Sequence, residues 1–112
     1  MAQSKMTSPA PQVLDNLVRR IVEAVHPLRI ILFGSAARGQ MGPHSDLDVV
    51  VVMPDGCDTL SLAQELHCTL GDFEVAKDFV VVQESDFKRN RDNPYLIVHT
   101  ALTEGRELYH AS

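Results

Sequence analysis

Tryptophan is absent from this 112-residue sequence and aromatic residues make up only 5% of it. A stacking platform for single-stranded nucleic acid therefore has little to build on. Only two cysteines occur, Cys57 and Cys68, too far apart for a CxxC redox or zinc motif, and they read as reduced thiols of a cytoplasmic protein. No apolar run approaches the roughly 18 residues that would span a bilayer. The opening MAQSKMTSPAPQ lacks the apolar core of a secretory signal, so neither a membrane span nor export is expected. Positive charge is short as well: 10 Lys and Arg against 15 Asp and Glu leave a formal net charge of -5. That balance disfavours nonspecific nucleic-acid binding, which relies on lysine and arginine displacing counterions, but leaves room for a local phosphate site.

What remains is the composition of an ordinary globular domain, 45% hydrophobic and 22% charged. Residues Met1 to Pro11, rich in Ser, Pro, Ala and Gln, read as a flexible lead-in, with one domain over 12–112. From Gln12, the positions Val13, Leu14, Leu17, Val18, Ile21, Val22 and Val25 recur at helical spacing up to Pro27. Leu28 to Phe33 reads as a buried strand closed by Gly34, and Ser35 to Arg38 as a short helix ended by Gly39 and Gly42-Pro43. Asp46 to Met53 is a second strand, closed by the turn Pro54-Asp55-Gly56. Leu60, Leu62, Ala63, Leu66 and Leu70 suggest a helix, Lys77 to Val82 a third strand, and Glu84 to Phe87 another helix start. Tyr95 to Leu102 reads as a final short helix, and Glu107 to His110 as a trailing segment able to dock on the core or a partner. Strands alternating with helices indicate an α/β domain.

The chemistry concentrates in ILFGSAARGQMGPHSDLDVVVVM. Side chains alternate along a strand, so Asp46 and Asp48 point one way while Leu47 and Val49 point the other. Two carboxylates at the mouth of a valine run are costly unless a cation offsets them. Oxygen-only ligands suit Mg²⁺, which commonly takes one or two carboxylates together with substrate phosphates. Gly34 and Ser35 supply a phosphate cradle: glycine permits close backbone approach, and the helix that follows aims amides at an anion. Arg38, three residues on, can grip a phosphate oxygen. If the third strand neighbours the second, Asp78 joins the same face and completes a two-metal site for phosphoryl or nucleotidyl transfer. The plainer readings are a solvated turn for Asp46 and Asp48, a surface acid for Asp78 and a helix-surface charge for Arg38. His44 reads as an exposed loop residue, and His26, His67, His99 and His110 lack paired ligand spacing.

Gly34-Ser35, then Asp46-Leu47-Asp48, with Ala37-Arg38-Gly39 and Ser45 between them, resembles the signature of the DNA polymerase β-like nucleotidyltransferase superfamily. The small size makes the chain most similar to the minimal nucleotidyltransferases, the MNT partners of HEPN proteins. The resemblance implies a small mixed β-sheet flanked by helices. It implies Asp46 and Asp48 as metal ligands, and Asp78 as the third carboxylate, which binds the catalytic metal and helps deprotonate the attacking hydroxyl. Gly34 and Ser35 would hold the β- and γ-phosphates of the incoming nucleotide. It further implies a protein adenylyltransferase that moves AMP from ATP to a tyrosine of a HEPN ribonuclease toxin, acting as its antitoxin. No appended substrate domain is visible, so the acceptor surface would come from a partner or from a second copy in a homodimer. Leu96, Ile97, Val98, Leu102 and Leu108 are candidates for that docking face. Two alternatives stand beside this reading: transfer to a small hydroxylated molecule, and a non-catalytic antitoxin that masks its partner.

Overall fold

The computed structural model describes residues 11–34, 47–73, 77–90 and 105–111. Helix α1 (Pro11–Val25) begins on a proline, which is suited to a first turn where no N–H is required. Its residues Leu14, Leu17, Ile21 and Val25 form one buried stripe, as their spacing predicts. The helix ends at His26, which adopts φ 51 while its N–H donates to the Val22 carbonyl at 3.0 Å. Strands β1 (Arg29–Phe33) and β2 (Leu47–Met53) follow, then helix α2 (Thr59–Thr69). Asp58 caps α2, accepting hydrogen bonds from the Ser61 N–H at 3.2 Å and the Ser61 hydroxyl at 2.9 Å. Strand β3 (Lys77–Gln83), helix α3 (Glu84–Asn90) and strand β4 (Arg106–His110) complete the described elements.

The four strands form one sheet in the order β3-β2-β1-β4. Strand β1 runs antiparallel to both β2 and β4, whereas β2 and β3 are parallel. The parallel pair is joined through α2, as a crossover connection requires. A mixed sheet flanked by helices is therefore the architecture, as the sequence and its resemblance led us to expect. The trailing segment Glu107 to His110 turns out to be an edge strand on β1. Leu108, a candidate for a docking face, is half-buried and packs against the core at the point where the register between β1 and β4 shifts. Ile30 faces Tyr109 and Ile31 faces Glu107, so Leu108 is the extra residue of a bulge and lies with Tyr109 against the core. The expected helices Ser35 to Arg38 and Tyr95 to Leu102, with Leu96, Ile97, Val98 and Leu102, lie outside the described residues, as does the segment Met1 to Ala10. Among the described residues no helix is long and apolar enough to cross a membrane.

Strand β2 is buried on both sides, which explains why its valines run without polar alternation. On its first face Ile30, Leu32, Leu47, Val49, Val51, Met53 and Phe79 pack with Leu14, Leu17 and Ile21 of α1 and Leu66 of α2. On its second face Ile31, Phe33, Val50 and Val52 pack with Phe87 of α3. Arg29 fastens the second face: its Nε donates to Glu107 Oε2 at 2.6 Å, and its guanidinium carbon lies 5.0 Å from the centre of the Phe87 ring. One charged side chain thus links β1, β4 and α3. Leu17 is fully buried at the centre of the first face. Leu17→Ala should lower the unfolding free energy by about 3 kcal/mol in urea titrations. A loss near zero would mean that α1 is not seated as described.

Arg20 joins α1 to the chain leaving α2. It donates to the Thr69 carbonyl at 2.8 Å and to Asp72 Oδ1 at 3.0 Å. The Arg20 hydrogen bond, and secondarily its charge, hold the Asp72 carboxyl below its ordinary value of 3.8. A depressed folded-state pKa gives stability that is present above the unfolded value and lost as pH falls through the folded one. The pair is largely exposed, so the effect is small. The stability gap between the wild type and Asp72→Asn should be open at neutral pH and close in acid, below about pH 4. Denaturant midpoints across that range test this, and a gap constant with pH would contradict it.

Candidate functional site

Asp48 is the second residue of β2, and its orientation follows from its neighbours. Leu47 and Val49 are fully buried on the first face, so Asp48 belongs to the second, ahead of Val50 and Val52. The same logic places Asp78. Phe79 is buried on the first face, so Asp78 shares the second with Val80 and Val82. In the parallel register Asp48 pairs with Asp78, on strands about 4.8 Å apart. The condition set by the sequence is met: β3 neighbours β2, and the two carboxylates share a face. Asp48 is half-buried and Asp78 exposed, so the pair marks where the apolar floor of the second face gives way to solvent.

The end of β1 reaches the same place. Phe33 pairs with Asp48, and Gly34 follows with φ 74, in the region that favours glycine. A β-carbon on Gly34 would lie 2.6 Å from Asp48 Oδ2. The Asp48 carboxylate therefore rests directly against the glycine backbone. Gly34, Asp48 and Asp78 are brought together, while Asp46, Ser35 and Arg38 lie outside the described residues. Among the described residues no three His, Cys, Asp or Glu side chains converge on one point. The two carboxylates that share this solvent-facing rim are hard oxygen ligands of the kind that Mg²⁺ accepts, and the residues present fit such an ion.

The described histidines stand elsewhere. His67 sets its ring edge-on to Phe79 at 5.4 Å, and His110 Nδ1 lies 4.0 Å from Glu107 Oε1 near the start of β1. Cys57 and Cys68 are free, in keeping with reduced thiols. The sequence reading missed two features. The Gly34 to Asp48 contact crosses two strands, and no local pattern announces it. Lys77, next to Asp78, holds its ammonium 5.9 Å from the centre of the Phe73 ring. Its charge sits beside the first-face core residue Phe73, while Asp78 occupies the second face. The dipeptide Lys77-Asp78 could have signalled that split, since neighbours on a strand face opposite ways.

No functionally curated protein matches the chain in sequence. Solved structures do match in fold. One is a toxin–antitoxin MntA–HpeT mutant carrying two Asp-to-Glu substitutions two positions apart, at TM-score 0.57 and 20% identity, over 88% of this chain and 74% of that one. A second is a toxin–antitoxin crystal structure with AMP-PNP, at TM-score 0.55 and 24% identity, over 88% and 74% of the two chains. A third is the tri-AMPylated Shewanella oneidensis HEPN toxin in complex with MNT antitoxin, at TM-score 0.52 and 20% identity, over 89% and 71%. At these identities the likeness establishes the fold. The sequence supplies the family: residues 14–101 match the model of the nucleotidyltransferase domain, and with Gly34 and its carboxylate pair at one end of the sheet, the chain belongs to that family.

Proposed function

We propose that this domain transfers AMP from ATP, in the presence of Mg²⁺, to a tyrosine hydroxyl of a HEPN-domain toxin and so acts as its antitoxin. The observation that carries the reading is the register pairing of Asp48 with Asp78, beside a glycine turn, at the solvent-facing end of the sheet. Support for the acceptor comes from fold relatives that include a HEPN toxin already tri-AMPylated in complex with an MNT antitoxin. A relative with AMP-PNP supports the nucleotide.

Asp46, Asp48 and Asp78 would hold Mg²⁺, which when bound supplies charge neutralisation for the nucleotide phosphates. The remaining steps belong to the chain's own residues. The backbone amides at Gly34 and Ser35 orient the β- and γ-phosphates, and Arg38 grips a phosphate oxygen. The acceptor oxygen attacks the α-phosphorus, forming a new P–O bond as the bond to the bridging oxygen breaks and pyrophosphate leaves. The hydroxyl proton passes to Asp78, whose exposed position leaves it open to an incoming acceptor. Phosphate binding by amides already oriented toward the anion would cost little reorganisation.

Incubating the domain with a HEPN partner, ATP and Mg²⁺ should raise the partner's intact mass by one or more AMP increments. Asp46→Asn and Asp48→Asn should each slow the transfer by roughly a hundredfold or more, the scale of losing one preorganised charge-stabilising group. Native-rate transfer by both variants would refute the carboxylate assignment. Neutralisation of the partner with no mass change would refute transfer and support masking.

A further inference from the structure

Gly34 meets two separate demands. Its φ of 74 lies where L-residues are strained, and its missing side chain is the space beside the Asp48 carboxylate. The distances separate them. A β-carbon at position 34 would stand 2.6 Å from Asp48 Oδ2, inside van der Waals contact, and 3.4 Å from Asp48 Cγ. From Asp48 Cβ it would stand 3.6 Å away, which is ordinary contact. The conflict is therefore entirely with the carboxylate. An alanine at 34 fits the backbone of β2 and does not fit the charged group that β2 presents.

We infer that Gly34 is a positioning residue for Asp48: the glycine at the end of β1 is the seat of the Asp48 carboxylate and sets the direction in which its oxygens face. Glycine in such a turn is usually explained by close approach of a phosphate. Here a side chain of the protein, the Asp48 carboxylate, lies against the glycine. An aspartate has only two side-chain torsions, so a carboxylate pushed off Gly34 must swing about its own strand position, on the face it shares with Asp78. The inference deepens the proposed function and rests on it for the role of the carboxylate, but the seat itself is a property of the folded chain.

Two measurements separate these levels. The first needs no metal or nucleotide: the thermal stability of the wild type, Gly34→Ala, Asp48→Ala and the double variant. If the carboxylate is what position 34 must avoid, the loss caused by Gly34→Ala should fall to less than half in the Asp48→Ala background, a non-additive cycle. Gly34→Asn adds a control, because asparagine tolerates positive φ better than alanine yet carries a β-carbon. It should recover only the φ-dependent share of the alanine loss and leave the share set by the carboxylate. Additive losses, or full rescue by asparagine, would show that φ alone requires the glycine and would overturn the inference while leaving the proposed function standing.

The second measurement is Mn²⁺ binding to the nucleotide-free protein. Gly34→Ala should weaken it about tenfold or more, comparable to losing a partner that orients a metal ligand. In the Asp48→Ala background the same substitution should cause no further loss. Equal weakening in both backgrounds would overturn the positioning role. A wild type that binds no Mn²⁺ would count against the metal reading of the proposed function, and the stability cycle would still decide whether Gly34 seats Asp48.

Discussion

The parallel pairing of β2 with β3 governs everything else in this structure. Val49 to Val52 are fully buried, with helices α1 and α2 below them and Phe87 of α3 above, so neither strand can shift without exposing apolar surface on one side. A parallel pair cannot be closed by a tight turn and depends on a helical crossover, which α2 provides. Asp58 at the start of α2 and Arg20 at its end hold that crossover at both ends. Packing energy thereby fixes the relative height of two carboxylates that lie outside the apolar core.

Polar ties at the sheet's other end serve the same purpose by different chemistry. Gln83 donates to the Cys57 carbonyl at 3.1 Å, and the Ser85 N–H donates to Asp55 Oδ1 at 2.9 Å, so the turn after β2 is bound to the β3–α3 junction. Arg29 closes the β1 and β4 side through Glu107 and Phe87. Among the described residues no buried side-chain polar atom lacks a partner. Charge is thus kept at the rims, and Asp48 and Asp78 share one of them.

Much of this was legible in the sequence because it depends on period. The α1 stripe Leu14, Leu17, Ile21 repeats at helical spacing, and the alternation around Asp48 assigns its face before any neighbour is known. Asp78 could be placed only conditionally, since strand order is a tertiary fact, and the observed register supplies it. The β4 edge strand was not legible: Arg106 to His110 has no clean alternation, because the bulge at Leu108 turns two consecutive side chains toward the core. The Gly34 contact was hidden for a related reason. Sequence shows a glycine in a turn and cannot show which distant atom occupies the room it leaves.

The double-sided burial of the valines has a consequence for how the chain avoids becoming wrongly assembled. If β3 slipped by one residue against β2, Val80 and Val82 would change faces, and Asp78 would be driven among the apolar side chains around Phe79. With a slip one way Lys77 would stand beside Asp48 in its place, and with a slip the other way Phe79 would. A misaligned sheet would thus carry a buried carboxylate and be too unstable to persist. Folding itself acts as an inspection step, so any molecule stable enough to accumulate already has its two carboxylates level.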